Sequence, residues 1–297
     1  VIRSIGSVDK GTTQTDTLEL ERARGITIKS AVVSFQLNDL KVNLIDTPGH
    51  ADFVAEVERS LRVLDAVVLV VSAVEGVQPQ TRRLARAIRA AGLPMLIFVN
   101  KIDRLGARGD ALLDDIRRKL NLRVVPMNAP VKIGSRSSEV VPHDRDDRVW
   151  RGAAIDLLAE SSEGVIEEFE RTGGELSSCF VNEELRAQVA SGGIVPAFFG
   201  SAVTGVGARE LLAGIEEWLP SADEAPDAPL DGTIFKIVRQ PSGEKICYVR
   251  LFTGSLAVRQ RVAVRHRNTC GEMEQDEERI TGIDRFASGT MRQAERV

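Results

Sequence analysis

Residues Lys41-Val42-Asn43-Leu44-Ile45-Asp46-Thr47-Pro48-Gly49-His50 run an apolar strand directly into a carboxylate and a Pro-Gly turn. Val42, Leu44 and Ile45 suit a buried strand, and an acid at the carboxyl end of such a strand stands where open α/β sheets do their ligand chemistry. A carboxylate there can hold a hydrated Mg²⁺, and the Gly49 N–H, with no Cβ in the way, can approach a terminal phosphate oxygen. The competing reading is an ordinary strand-end turn, because Pro-Gly punctuates turns in any fold.

Two further strand ends carry chemistry of the same kind. Asn100-Lys101-Ile102-Asp103 follows the apolar run Met95 to Val99. Asp103 can accept from the N1–H and the exocyclic amine of guanine together, a pair that adenine cannot complete, while Asn100 and Lys101 brace the loop and the base. Gly200-Ser201-Ala202 follows Ile194 to Phe199, and a backbone N–H there can reach the guanine carbonyl oxygen. Each tag is weak alone; three in this order, each after an apolar strand, point to a guanine nucleotide.

Elements of alternating type must position these tags. Phe53, Val54, Val57, Leu61 and Leu64 recur at helical spacing, so Ala51 to Arg62 is predicted as an amphipathic helix. Ala66 to Ser72 reads as a buried strand and Gln78 to Ala91 as a helix with Leu84, Ile88 and Ala91 inward and Arg82, Arg83, Arg86 and Arg89 outward. Ala107 to Leu120 reads as a helix, Val124 to Met127 as a strand, Ser135 to Arg148 as a polar loop, and 159–170 and 183–190 as helices. The segment 107–193 is about twice what one helical crossover needs, so part of it reads as an insertion. His143 and the carboxylates near it lack metal-ligand spacing and read as solvated loop residues. Val206 to Leu219 closes this domain as a helix, and residues 220–229 form a linker rich in Pro, Ala and acids. Beyond it the apolar period falls to two, in Thr233 to Val238 and Ile246 to Phe252, as in a small β-barrel or sandwich. The expected domains are therefore residues 1–222 and 230–297.

The first residues contain a decoy. Gly6 and Gly11 have the spacing of a phosphate-binding loop, but Thr12 stands where that loop needs Lys and no strand of adequate length precedes it. Thr27, in a segment just before the sensor strand, offers a hydroxyl suited to binding Mg²⁺ only when a γ-phosphate is present. The plainer reading of Thr27 is a β-branched residue entering a strand.

Composition sets bounds. At 297 residues and 43% hydrophobic the chain can bury one large core and a smaller second one. A net charge of −4 excludes a broad basic surface, so a nucleic-acid partner must be met by local patches. Cys179, Cys247 and Cys270 are odd in number and far apart, which suits a reducing cytosol, and no signal peptide or long apolar span is present.

With these residues in view, the chain resembles the translational GTPases, and most closely the tetracycline-resistance ribosomal protection proteins, which look like elongation factor G. Gly6 to Thr13 with Thr15-Asp16 is similar to their first switch. Arg24 to Ile28, Asp46 to His50 and Asn100 to Asp103 are similar to motifs shared more widely, and Arg250 to Leu256 is similar to the second-domain barrel. The resemblance implies an α/β fold: a doubly wound P-loop GTPase-type domain, truncated at its N-terminus, followed by an antiparallel β-barrel. It implies a cytoplasmic, monomeric GTP hydrolase with no membrane partner, binding GTP and GDP and acting on rRNA and proteins of the ribosome to release tetracycline. The arginine face of residues 82–89 then reads as solvated, with ribosomal contact as the alternative. Thr27 and Asp46 would hold Mg²⁺, directly and through water, and Thr47, Pro48 and the Gly49 N–H would meet the phosphates. His50 would orient the attacking water, its alternative being a satisfied surface histidine. Asn100, Lys101, Ile102 and Asp103, with Ser201 and Ala202, would hold the base. Elongation factor G-type translocation and a nonhydrolysing ribosome-binding module are the alternatives. The strand, Gly-Lys-Thr-Thr loop and helix that open the family do not precede Val1, and the later domains do not follow Val297, so the sequence reads as an internal piece expected not to bind GTP tightly or hydrolyse it alone.

Overall fold

The computed structural model describes residues 30–49, 51–222, 225–240, 242–287 and 290–297. Thr27, His50 and the loop at 6–13 lie outside the described residues. In chain order come β1 (Ala31–Leu37), β2 (Leu40–Asp46), a 3-10 turn (Ala51–Phe53), α1 (Val54–Leu61) and β3 (Val67–Ser72). Next are α2 (Pro79–Ala90), β4 (Met95–Asn100), α3 (Asp110–Leu120), β5 (Arg123–Pro126), β6 (Asn128–Val131) and β7 (Glu139–Pro142). Then follow α4 (Arg148–Ala159), α5 (Glu163–Arg171), α6 (Ser178–Ala190), β8 (Ile194–Phe199) and α7 (Ala208–Trp218). The chain ends in β9 (Asp231–Arg239), β10 (Lys245–Thr253), β11 (Arg261–Arg267), β12 (Met273–Arg279), β13 (Ile283–Ala287) and β14 (Thr290–Ala294).

Two units result. One comprises Leu64–Ser221 with Gly49–Asp52. Its sheet has the order β3-β4-β8-β5 with every pair parallel. Met95 to Val99 and the whole of β8 are buried, as unbroken apolar runs must be when helices cover both faces of a parallel sheet. On one face Trp150 and Leu158 of α4, Leu185 and Val189 of α6 and Trp218 of α7 pack with Leu96, Phe98, Val125 and Phe198. Gly214 allows the approach of α7, since a Cβ there would stand 2.3 Å from the Phe198 ring. α2 packs against β3 and α3, and α3 packs against β5.

Segment 107–193 differs from its sequence reading in two places. The polar stretch 135–148 contains β7, which pairs antiparallel with β6. α4 begins at Arg148 because the Asp147 carboxylate accepts from the Val149 and Trp150 N–H groups, a side-chain cap that apolar periodicity does not register.

The second unit comprises Phe53–Val63, Ala222–Val297 and the described residues up to Pro48. β2 is hydrogen-bonded to β1 in a two-stranded sheet. The expectation of a buried strand is corrected here: Leu44 is 48% exposed and Val42 and Ile45 are half-buried, because a two-stranded hairpin leaves one face uncovered. Glu56 accepts from the Ser30 hydroxyl at 3.2 Å, and Ser30 and Ser60 share a hydrogen bond, so α1 lies on the hairpin's start. Arg250 donates to the Val63 carbonyl at 2.9 Å and Lys236 to the Ser30 carbonyl. The hairpins β9–β10, β11–β12 and β13–β14 are all antiparallel. Backbone bonds between Leu256 and Val297, from Val258 to Glu295 and between the 259–260 turn and Ile280 join them.

Candidate nucleotide site

The carboxyl ends of β4 and β8 lie side by side, with Val99 opposite Phe199 in the ladder, so the two loops that follow are neighbours. Asn100 is the clamp between them. Its Oδ1 accepts from the Lys101 N–H at 2.7 Å and from the Ala202 N–H at 2.9 Å. Ile102 is fully buried and donates its N–H to the Gly200 carbonyl at 3.2 Å, which adds a second bond across the same gap. Gly200 has no room for a side chain: a Cβ would sit 2.4 Å from the Val206 carbonyl oxygen and 2.6 Å from the Phe98 ring. The Ser201 N–H donates to that Val206 oxygen, and its buried hydroxyl accepts from the Thr204 N–H, so the loop closes on itself.

Lys101 adopts φ +71°, a left-handed conformation costly for a residue with a Cβ. Its ammonium is fixed 3.1 Å from Glu75 Oε1, at the end of the neighbouring β3. Partial burial acts to raise the Glu75 pKa, but the Lys101 hydrogen bond and charge, with Arg104 adding to them, hold it below its ordinary value. Asp103 completes the group. Its Oδ1 is buried and makes no hydrogen bond among the described residues. It borders a cleft of about 480 Å³ lined also by Arg104, Arg136, Val203 and Thr204. A buried carboxylate oxygen without a donor is costly.

Asn100, Lys101, Ile102 and Asp103 are thus brought together with Ser201 and Ala202. The other predicted residues are placed differently. Asp46, half-buried at the end of β2, belongs with Thr47 and Pro48 to the second unit. Gly49 belongs to the first, where a Cβ would meet Gln80 at an ordinary 3.7 Å. His143 is half-buried rather than fully solvated, and burial pushes its pKa down against the pull of Asp110 and Asp147. Among the described residues no group of three or more His, Cys, Asp or Glu is placed to hold a metal ion, and no helix is long and apolar enough to cross a membrane. Sequence reasoning missed Glu75 and Arg136. Glu75 follows a strand end, the same signal that marks Asp46 and Asp103; Arg136 sits in a hairpin that polar composition conceals.

A parallel sheet whose loops converge at the strands' carboxyl ends is the architecture of nucleotide-binding α/β proteins. The profile of the elongation factor Tu GTP-binding domain matches residues 1–221, and the chain belongs to that family. It is 47% identical over 291 residues to the oxytetracycline resistance protein of Streptomyces rimosus, covering 98% of this chain and 44% of that protein. It is 39% identical over 297 residues to the tetracycline resistance protein TetP of Clostridium perfringens, covering 100% of this chain and 44% of that protein. The chain therefore spans a little under half the length of these curated relatives. A solved structure from Thermus thermophilus shares the fold with a TM-score of 0.78 at 24% identity, over 98% of this chain and 46% of that one.

Proposed function

We propose that this chain is the nucleotide-binding part of a ribosome-dependent GTPase that uses GTP to release tetracycline from the ribosome in the cytoplasm. The observation that carries the nucleotide half is Asp103, which lines a cleft and whose buried Oδ1 makes no hydrogen bond among the described residues. The two donors on one edge of guanine satisfy it as no adenine edge does. Asn100 holds the base loop, Lys101 and Ile102 fix its course, and Ser201 and Ala202, whose N–H groups bond the Val206 carbonyl and the Asn100 side chain, shape the second loop that would border the base. The tetracycline half rests on likeness to proteins named for resistance to that drug, at 39–47% identity.

Asp46 and Thr27 would hold Mg²⁺, and a single carboxylate suits an ion that keeps most of its shell as water and phosphate oxygen. Mg²⁺ held by these two residues would supply positive charge against the phosphate oxygens. The Thr47, Pro48 and Gly49 backbone would meet the phosphates, and His50 would orient the attacking water.

The test expresses the intact gene in a susceptible strain and measures both tetracycline tolerance and GTP hydrolysis with and without ribosomes. The expected outcome is raised tolerance with ribosome-stimulated hydrolysis. Stimulated hydrolysis without tolerance identifies an elongation-type GTPase instead, and ribosome binding without hydrolysis identifies a nonhydrolysing module.

A further inference from the structure

The outer face of α2 has a charge pattern that the fold does not use. Arg82, Arg83, Arg86 and Arg89 are all exposed, and the helix contains no acidic residue. Arg89 donates to the Asn121 carbonyl at 3.3 Å. Among the described residues, the side chains of Arg82, Arg83 and Arg86 make no hydrogen bond or ion pair. Nearby helices treat their cations differently: Arg117 pairs with Asp114, Arg118 and Lys119 with Asp115, and Arg171 with Glu168.

This arrangement works against the helix. Arg82 and Arg86 are four residues apart, and Arg83, Arg86 and Arg89 follow at intervals of three, spacings at which like charges repel. Arg82 and Arg83 also stand near the positive end of the helix dipole, where carboxylates are favoured. A pattern that costs local stability and gains no contact within the fold marks a surface kept for a partner.

The chemistry of that partner follows from what the face lacks. No large exposed apolar side chain occurs between Val70 and Leu105 among the described residues. Protein interfaces draw their affinity from buried aromatic and aliphatic anchors, whereas phosphodiester backbones are bound by charge and counterion release alone. Guanidinium groups suit phosphate oxygens, and Arg82 to Arg89 span about 10 Å of helix, enough to follow a strand of phosphates.

We propose that the Arg82, Arg83, Arg86 and Arg89 face of α2 binds the phosphate backbone of RNA. This rests on the reading of the protein as one that acts on the ribosome, and it names the surface that would meet ribosomal RNA.

The test uses the intact protein and a 20-base-pair RNA duplex of arbitrary sequence, with affinity measured across a series of salt concentrations. The variants are R82E/R83E/R86E and the milder R82Q/R83Q/R86Q. In both, affinity at about 0.1 M salt falls at least about tenfold, and the slope of log affinity against log salt becomes shallower by about two to three. The glutamine variant keeps its fold and melts no lower than the parent, because it relieves repulsion. Unchanged affinity and slope overturn the proposal, as does capture of poly-glutamate in preference to the duplex. GTP binding without ribosomes, measured in parallel, separates the two readings: its absence in the parent protein defeats the GTPase reading, while the RNA result stands by itself.

Discussion

In the proposed reading Asp103 is the residue that distinguishes guanine from other bases, so its substitution is expected to change specificity before it changes the fold. Asp103→Asn replaces an acceptor with a donor at the guanine N1–H and amine. Each charge-assisted bond is worth about 1.5–3 kcal/mol, so GTP affinity in the intact protein falls by about 10²-fold or more. Xanthosine triphosphate, with a carbonyl oxygen where guanine has its amine, gains affinity at the same time. Competition titration with both nucleotides checks this, and equal loss of both would point to collapse of the loop. Glu75 acts one step away, through Lys101. Its folded-state pKa is depressed, so the pair contributes above the ordinary carboxylate range and is lost as pH falls through the depressed value. Glu75→Gln removes that acid-side dependence of nucleotide affinity and leaves the neutral-pH fold intact, which a pH series of binding curves reads directly. His50→Ala lowers ribosome-stimulated turnover by about 10²-fold with nucleotide affinity nearly kept. Unchanged single-turnover hydrolysis on ribosomes would exclude His50 as the water-orienting group.

Among the elements, β8 shows how a side chain stands in for a strand. β5 ends its ladder with β8 at Pro126 and Ala197. The Phe199 N–H and carbonyl are then taken up by the Asn128 side chain, at 2.7 and 3.2 Å, deep in the interior. Asn128→Ala leaves both groups buried and unsatisfied, for a loss of about 2–4 kcal/mol in urea unfolding. Because Phe199 immediately precedes Gly200, nucleotide affinity falls as well; a variant with unchanged stability would show that water replaces the amide. Strands β4 and β8 and the tags at their ends are legible in the sequence because burial on both faces writes an unbroken apolar run. Asn128 is not legible, since an asparagine within Val-Pro-Met-Asn-Ala-Pro-Val reads as a break. β2 misleads for a related reason: its apolar residues predict burial, but burial depends on what covers the hairpin, and Leu44 remains exposed there. α4 and α6 are capped by Asp147 and Ser177, whose bonds to nearby N–H groups set the helix starts without altering the apolar period.

Across the whole molecule the two units are held by different means, which predicts different stabilities. The parallel sheet buries β4 and β8 under two layers of helix, the source of most folding free energy. Among the described residues none is buried from Ala225 to Phe286 or from Met291 to Val297. That segment relies on antiparallel ladders and on aromatic contacts, Phe235 with Tyr248 at 6.2 Å and Tyr248 with Phe286 at 6.0 Å, each contributing about 0.5–1.5 kcal/mol beyond area. Cooperative units with few buried side chains open at lower free energy than the global limit. Hydrogen exchange on the intact protein should therefore protect the amides of β4 and β8 to the limit of unfolding, while those of β11 to β14 exchange orders of magnitude faster through local opening. Tyr248→Ala, which removes both aromatic contacts, accelerates exchange in β9, β10 and β13 and leaves β4 and β8 unchanged. Equal protection in both units, or a Tyr248→Ala effect that spreads to β8, would mean that the chain unfolds as one body and that its buried sheet stabilises the hairpins as well.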